Sequence, residues 1–149
     1  MTKYFSIGLF WVLTALGASA QTLNECNWVA SAYNVVEPWP VNTTTFSNGK
    51  IRIALLDTGG EPACCSFHLL ILHPDPELGR ACTVLSDQQG QGWGYVVFHG
   101  IQATYNPKLG LLLQIPVDFY NPETGLIDPG RQELVSIRIN QATGVIAFE

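Results

Sequence analysis

Phe46-Ser47-Asn48-Gly49-Lys50-Ile51-Arg52-Ile53-Ala54-Leu55-Leu56-Asp57 is the stretch that decides the fold of this chain. Ile51, Ile53 and Leu55 alternate with Arg52 and Ala54, and a period of two places one apolar set on one side of a β-strand. Asn48-Gly49, two residues that both tolerate positive φ, predicts a hairpin joining strands at 43–47 and 50–57. A strand entered through such a turn has an antiparallel neighbour, and its apolar side needs a second layer to cover it.

The same alternation recurs outward from this hairpin. Cys65, Phe67, Leu69 and Ile71 form an apolar face opposed by Ser66, His68, Leu70 and Leu72. Leu111, Leu113, Ile115, Val117 and Phe119 oppose Gln114, Asp118 and Tyr120, and Val135, Ile137 and Ile139 alternate with Ser136, Arg138 and Asn140. Turn residues punctuate the runs: Thr58-Gly59-Gly60-Glu61-Pro62, then 73–79 ahead of a strand at 80–86, then 106–110 and 140–144. Pro116 has no N–H to give a ladder, so its strand is expected at a sheet edge or bulged there. Residues 24–33 read equally as a strand or a short helix. Eight or nine short strands with almost no helical periodicity predict an all-β fold, an antiparallel two-layer β-sandwich, with a small closed β-barrel as the alternative. No linker, repeat or second domain interrupts residues 21–149.

The first twenty residues read differently. Lys3 precedes an apolar stretch at 4–17, and Ala18-Ser19-Ala20 is the small-x-small pattern of a cleavable signal peptide, which makes Gln21 the expected new N-terminus. The apolar stretch spans only about 21 Å as a helix, short of the roughly 30 Å bilayer core. An uncleaved anchor is the alternative. Later apolar runs such as 69–72 and 109–113 are strand-length, so no membrane span is expected beyond the leader, and the destination is the periplasm or the exterior. The 149 residues carry seven Lys+Arg against twelve Asp+Glu, a net charge of −5 with no basic run. This balance argues against nucleic acid and anionic lipid as partners.

Four cysteines follow the leader, Cys26, Cys64, Cys65 and Cys82, and export makes disulfides the default. If 65–72 and 80–86 form a hairpin turning near Pro76, Cys82 lies about six residues of strand from Cys64 and Cys65, roughly 20 Å, too far for a disulfide. Cys26–Cys82 is the expected bridge. Cys64 and Cys65 then remain as free thiols, a vicinal pair or a thiol bonded to another molecule, with a redox switch or thiolate metal site as the functional options. No C-x-x-C motif and no second Cys/His cluster supports either.

No assembled catalytic set is legible. His68 and His73, five residues apart on one strand, face opposite sides and cannot share an ion, and His99 stands alone before Gly100. There is no G-x-S-x-G, and Ser66 beside His68 is a coincidence of face. Asp57, Glu61, Asp118, Glu123 and Asp128 are scattered carboxylates that would serve a glycoside hydrolase only if two of them met in one cleft. The loop at 121–128 offers oxygens to calcium, Glu123 and Asp128 among them, without matching a defined calcium loop. No cofactor is implied.

The most unusual segment is Gln88-Gln89-Gly90-Gln91-Gly92-Trp93-Gly94-Tyr95. Gln91, Trp93 and Tyr95 form a stacking platform for sugar or peptide if they face outward, and an ordinary turn if Trp93 folds back onto the core. Trp39, in Glu37-Pro38-Trp39-Pro40, has the same two readings. Asn42-Thr43-Thr44 is a glycosylation sequon, meaningful only in a glycosylating cell.

Several phrases, Tyr33-Asn34-Val35-Val36-Glu37-Pro38-Trp39, the stretch 46–57, His68-Leu69-Leu70-Ile71-Leu72 and Ile139-Asn140-Gln141-Ala142-Thr143-Gly144, stand together with Cys26 and Cys82. With them the chain resembles a group of small, uncharacterised exported proteins of Gram-negative bacteria. The resemblance implies a periplasmic or secreted location and brings no activity, ligand or catalytic residue; the Cys64-Cys65 doublet departs from it. The expected function is non-enzymatic, a binding or accessory role toward a protein or glycan of the cell envelope. The alternatives are a carboxylate-dependent hydrolase of envelope polysaccharide and a calcium-stabilised structural module.

Overall fold

The computed structural model describes residues 21–59, 64–88 and 90–149, with Pro129 as backbone only. The expected leader at 1–20, most of the turn around Glu61, and Gln89 lie outside the described residues. The first half of the chain builds one antiparallel sheet from β1 (Thr22–Glu25), β2 (Thr43–Phe46), β3 (Ile51–Asp57), β4 (Phe67–Asp75) and β5 (Gly79–Ser86), in the order β1-β5-β4-β3-β2. The second half builds the other from β6 (Tyr95–Val96), β7 (Gln102–Asn106), β8 (Gly110–Asn121), β9 (Leu126–Ile139) and β10 (Ile146–Phe148). Its order is β10-β9-β8-β6, with β7 also paired to β8. The protein is an all-β, antiparallel two-layer sandwich, and its sheets do not close into a barrel.

The inward sets are those the alternation marks. Ile51, Ile53, Leu55, Leu69, Ile71 and Leu85 from the first sheet meet Leu111, Leu113, Ile115, Val117, Ile137 and Ile139 from the second in one buried cluster. The hairpin that opens the argument forms with Phe46 opposite Ile51. Its loop is longer than two residues: Ser47, Asn48 and Gly49 all take positive φ, at 54°, 56° and 79°.

Two features depart from expectation. β8 is an interior strand, not an edge, and its register breaks between Asp118 and Tyr120, not at Pro116. Pro116 is tolerated because it falls between the two partners on that side, β7 against 110–114 and β6 against 117–118. The chain detours there through a 3-10 turn at Phe98–Gly100, so no carbonyl awaits the missing N–H, while the Pro116 carbonyl still accepts from the Val97 N–H at 2.9 Å. The ambiguous stretch 24–33 is neither one strand nor one helix: β1 ends at Glu25 and two 3-10 turns follow, Trp28–Ala30 and Ala32–Asn34. These turns lie over the outer face of the first sheet, where Val29 packs with Leu56 and Val84 in a second small core. The Cys26–Cys82 disulfide, as expected, ties this cover to β5.

Candidate functional site

The Gln-Gly-Trp segment turns out to be the crossing between the two sheets. After β5, Gln88 and Gln91 exchange backbone hydrogen bonds of 3.1 Å each way around Gly90, whose φ is +78°. Trp93 then exchanges bonds with Phe67 at the start of β4, and the Gly92 N–H donates to the Cys65 carbonyl at 2.8 Å. The approach is so close that a Cβ on Gly92 would stand 2.3 Å from the Phe67 carbonyl oxygen, which is why glycine precedes the tryptophan. Gly94 likewise lies against the Tyr120 amide, and the chain enters β6 one residue later.

This crossing forms one wall of a cleft of about 650 Å³. Cys64 and Cys65 contribute a second wall, and they are bonded to each other as a vicinal disulfide, so the described chain has no free thiol. The opposite wall comes from the far end of the β8–β9 hairpin. There Asp118 faces Gln132 and Tyr120 faces Ile127, so residues 128–131 bulge across from Phe119 alone. The bulge brings Arg131 back over the Phe119 ring, its guanidinium carbon 4.4 Å from the ring centroid. Arg131, Glu133, Asp87 and Tyr120 line the cleft beside the disulfide.

The electrostatics of the cleft follow from this gathering. Burial, and then the neighbouring Glu133, push the Asp87 carboxyl above its ordinary value, while Arg131 pulls it back. Trp93 also lines the cleft, although it is 1% exposed and part of the main core. Its indole N–H is buried with no hydrogen-bond partner among the described residues, an expensive state for a donor.

Of the residues singled out from sequence, Gln91 and Trp93 meet in this cleft together with Cys64 and Cys65. Tyr95 does not line it; its ring packs edge-on against Phe67 at 5.2 Å. Trp39 is half exposed on the turn after Val36, apart from the cleft. Asp57, Asp118, Glu123 and Asp128 do not line it either, and Asp118 accepts from the Gln132 amide at 2.9 Å. In the 121–128 loop, the Asn121 side-chain oxygen accepts from the amides of Glu123 and Thr124, and that of Asp128 from Gly130. Among the described residues no three His, Cys, Asp or Glu side chains gather as an ion would require. The sequon Asn42 is buried, with its amide directed at the Pro38 carbonyl.

The histidines are placed by the alternation. His68 lies on the outer face with Nδ1 2.8 Å from the Ser86 hydroxyl, and His73 on the inner face with Nε2 3.1 Å from the Thr83 hydroxyl. Because the Pro74 carbonyl can only accept, His73 Nδ1 carries the ring proton toward it. Sequence reasoning passed over Asp87, Arg131 and Glu133. Asp87 ends a strand like any turn residue, and Arg131 and Glu133 reach the cleft only through the β9 bulge.

Fold and cleft together define a class: a small disulfide-bonded β-sandwich with a cleft lined by both polar and aromatic residues at the point where the chain changes sheets. No protein family, curated protein or solved structure matches the chain.

Proposed function

We propose that this chain is an exported, non-enzymatic binding domain of the cell envelope, and that its ligand occupies the cleft between the Cys64–Cys65 disulfide and the β8–β9 bulge. The single observation that carries the reading is the gathering of Asp87, Gln91, Arg131 and Glu133 around one cleft of about 650 Å³ that Trp93 also lines. Export is supported by the apolar leader pattern at 4–20, by the resemblance to exported Gram-negative proteins, and by two disulfides, which persist in oxidising compartments. No described helix is long and apolar enough to cross a membrane.

The test is affinity capture from native envelope with the oxidised chain. The double variant Gln91→Ala/Arg131→Ala is expected to lose the retained ligand, while Tyr105→Ala, outside the cleft, keeps it. Equal retention by both variants removes the cleft as the site. N-terminal sequencing of the exported protein is expected to begin at Gln21.

One observation favours a second reading. Asp87 and Glu133 line the same cleft, and the raised proton affinity of Asp87 suits a general acid beside an ionised partner. The hydrolase reading therefore moves from the scattered carboxylates to this pair. Hydrolysis of envelope polysaccharide, abolished in both Asp87→Asn and Glu133→Gln, would establish it, and no turnover by the wild type would end it.

A further inference from the structure

Resting on the binding role of the cleft, we infer that its ligand is a neutral saccharide, set against the Cys64–Cys65 disulfide with its hydroxyls held by Asp87, Glu133 and Arg131. Three properties of the cleft carry this. The first is sign. Two carboxylates and one guanidinium share the space closely enough for Asp87 to feel both neighbours. A ligand charged throughout with either sign would press against a like charge. A polyol uses the whole set, because each hydroxyl donates to a carboxylate and accepts from a guanidinium.

The second property is that most of the strand edge at this wall is already paired. Trp93 exchanges both of its main-chain bonds with Phe67, Gln88 and Gln91 exchange theirs with each other, and the Gly92 N–H is taken by the Cys65 carbonyl. An extended peptide is recognised chiefly by a run of unpaired backbone groups, and these residues offer no such run. The third is shape. The half-buried disulfide gives a compact, polarisable apolar surface for the C–H face of a sugar ring, and the Arg131 guanidinium rests over Phe119, 4.4 Å from the ring centroid, which restricts it before the ligand arrives. A volume of about 650 Å³ accommodates two or three sugar rings and lies within the roughly 300–1,000 Å³ range of small-ligand sites.

The experiment is an NMR titration of the 15N-labelled full chain, produced under oxidising conditions, following the through-bond assigned indole N–H signals of Trp93, Trp28 and Trp39. The probes are cellobiose, maltose, lactose and N,N′-diacetylchitobiose, with digalacturonate, spermidine and a tetra-alanine peptide as the contrasting set. At least one neutral disaccharide is expected to move the Trp93 signal saturably and leave Trp28 and Trp39 in place. Asp87→Asn and Glu133→Gln are each expected to weaken that binding about tenfold. Cys64→Ser/Cys65→Ser is expected to weaken it similarly, and the two carboxylate variants keep the test decisive should that variant fail to fold. Movement of the Trp93 signal by a contrasting probe alone overturns the saccharide assignment and leaves the cleft a binding site. A Trp93 signal unmoved by every probe at about 50 mM overturns the assignment, and if envelope capture is also insensitive to the cleft variants, the binding reading falls with it.

Discussion

His68 shows how much a single side chain can make of its depth. It is buried on the outer face of the first sheet, and burial lowers its pKa from 6.5 to about 4 against a small opposing pull from Asp57. The unfolded chain therefore takes up a proton that the folded chain refuses. Stability is full above pH 6.5 and falls as pH drops from there toward 4. The expected loss over that interval is roughly 3 kcal/mol from this residue. Urea titrations across the interval check it: His68→Gln, which keeps a partner for Ser86, should flatten the slope. An unchanged slope in the variant would assign the acid sensitivity elsewhere.

Gly110 is the second decisive residue. It begins β8 at φ +95°, and a Cβ there would stand 2.1 Å from the Ile139 carbonyl oxygen. Gly110→Ala is expected to lose more than about 2 kcal/mol, read as a drop in Tm, because both the backbone conformation and the approach to β9 forbid a side chain. Of such residues the sequence reveals some and hides others. That Asn48-Gly49 takes positive φ is legible, since their chemistry is local; that Ser47 joins them is not, because the longer loop arises from pairing Phe46 with Ile51.

Among the elements, the cover of 3-10 turns at 28–34 depends most on one covalent link. Cys26–Cys82 joins residues 56 apart in sequence and fastens the cover to β5, where Val29 seals Leu56 and Val84. Cys26→Ala/Cys82→Ala is expected to cost about 2–4 kcal/mol. Hydrogen exchange should show the amides of 26–35 losing protection first; uniform loss across both sheets would mean the bridge supports the whole sandwich. This pairing was open to inference from strand length and the reach of a disulfide. The vicinal Cys64–Cys65 bond was not, because nothing local to two adjacent residues chooses between thiols and a bridge. Pro116 misled for a related reason: its missing N–H excludes a continuous partner, and a strand flanked on one side by two short partners with a gap between them meets that demand in the interior.

The whole molecule is built from two consecutive sheets that share one buried cluster. Leu113 is fully buried in the cluster both sheets share. Leu113→Ala is expected to cost about 2–5 kcal/mol, and Trp93 at the crossing lets fluorescence be compared with far-UV circular dichroism through the same denaturant transition. Coincident curves in the variant support a single core; separated curves would show the sheets unfolding independently. The sequence by itself determined the long alternating strands, their inward faces, the antiparallel class and the Cys26–Cys82 bridge, because each follows from short-range periodicity, turn chemistry or chain reach. Only the tertiary structure decided that Asp87, Arg131, Glu133, Trp93 and the Cys64–Cys65 disulfide line one cleft. Those groups come from separate strands and turns, and their convergence depends on a bulge and a sheet crossing whose geometry no single segment specifies.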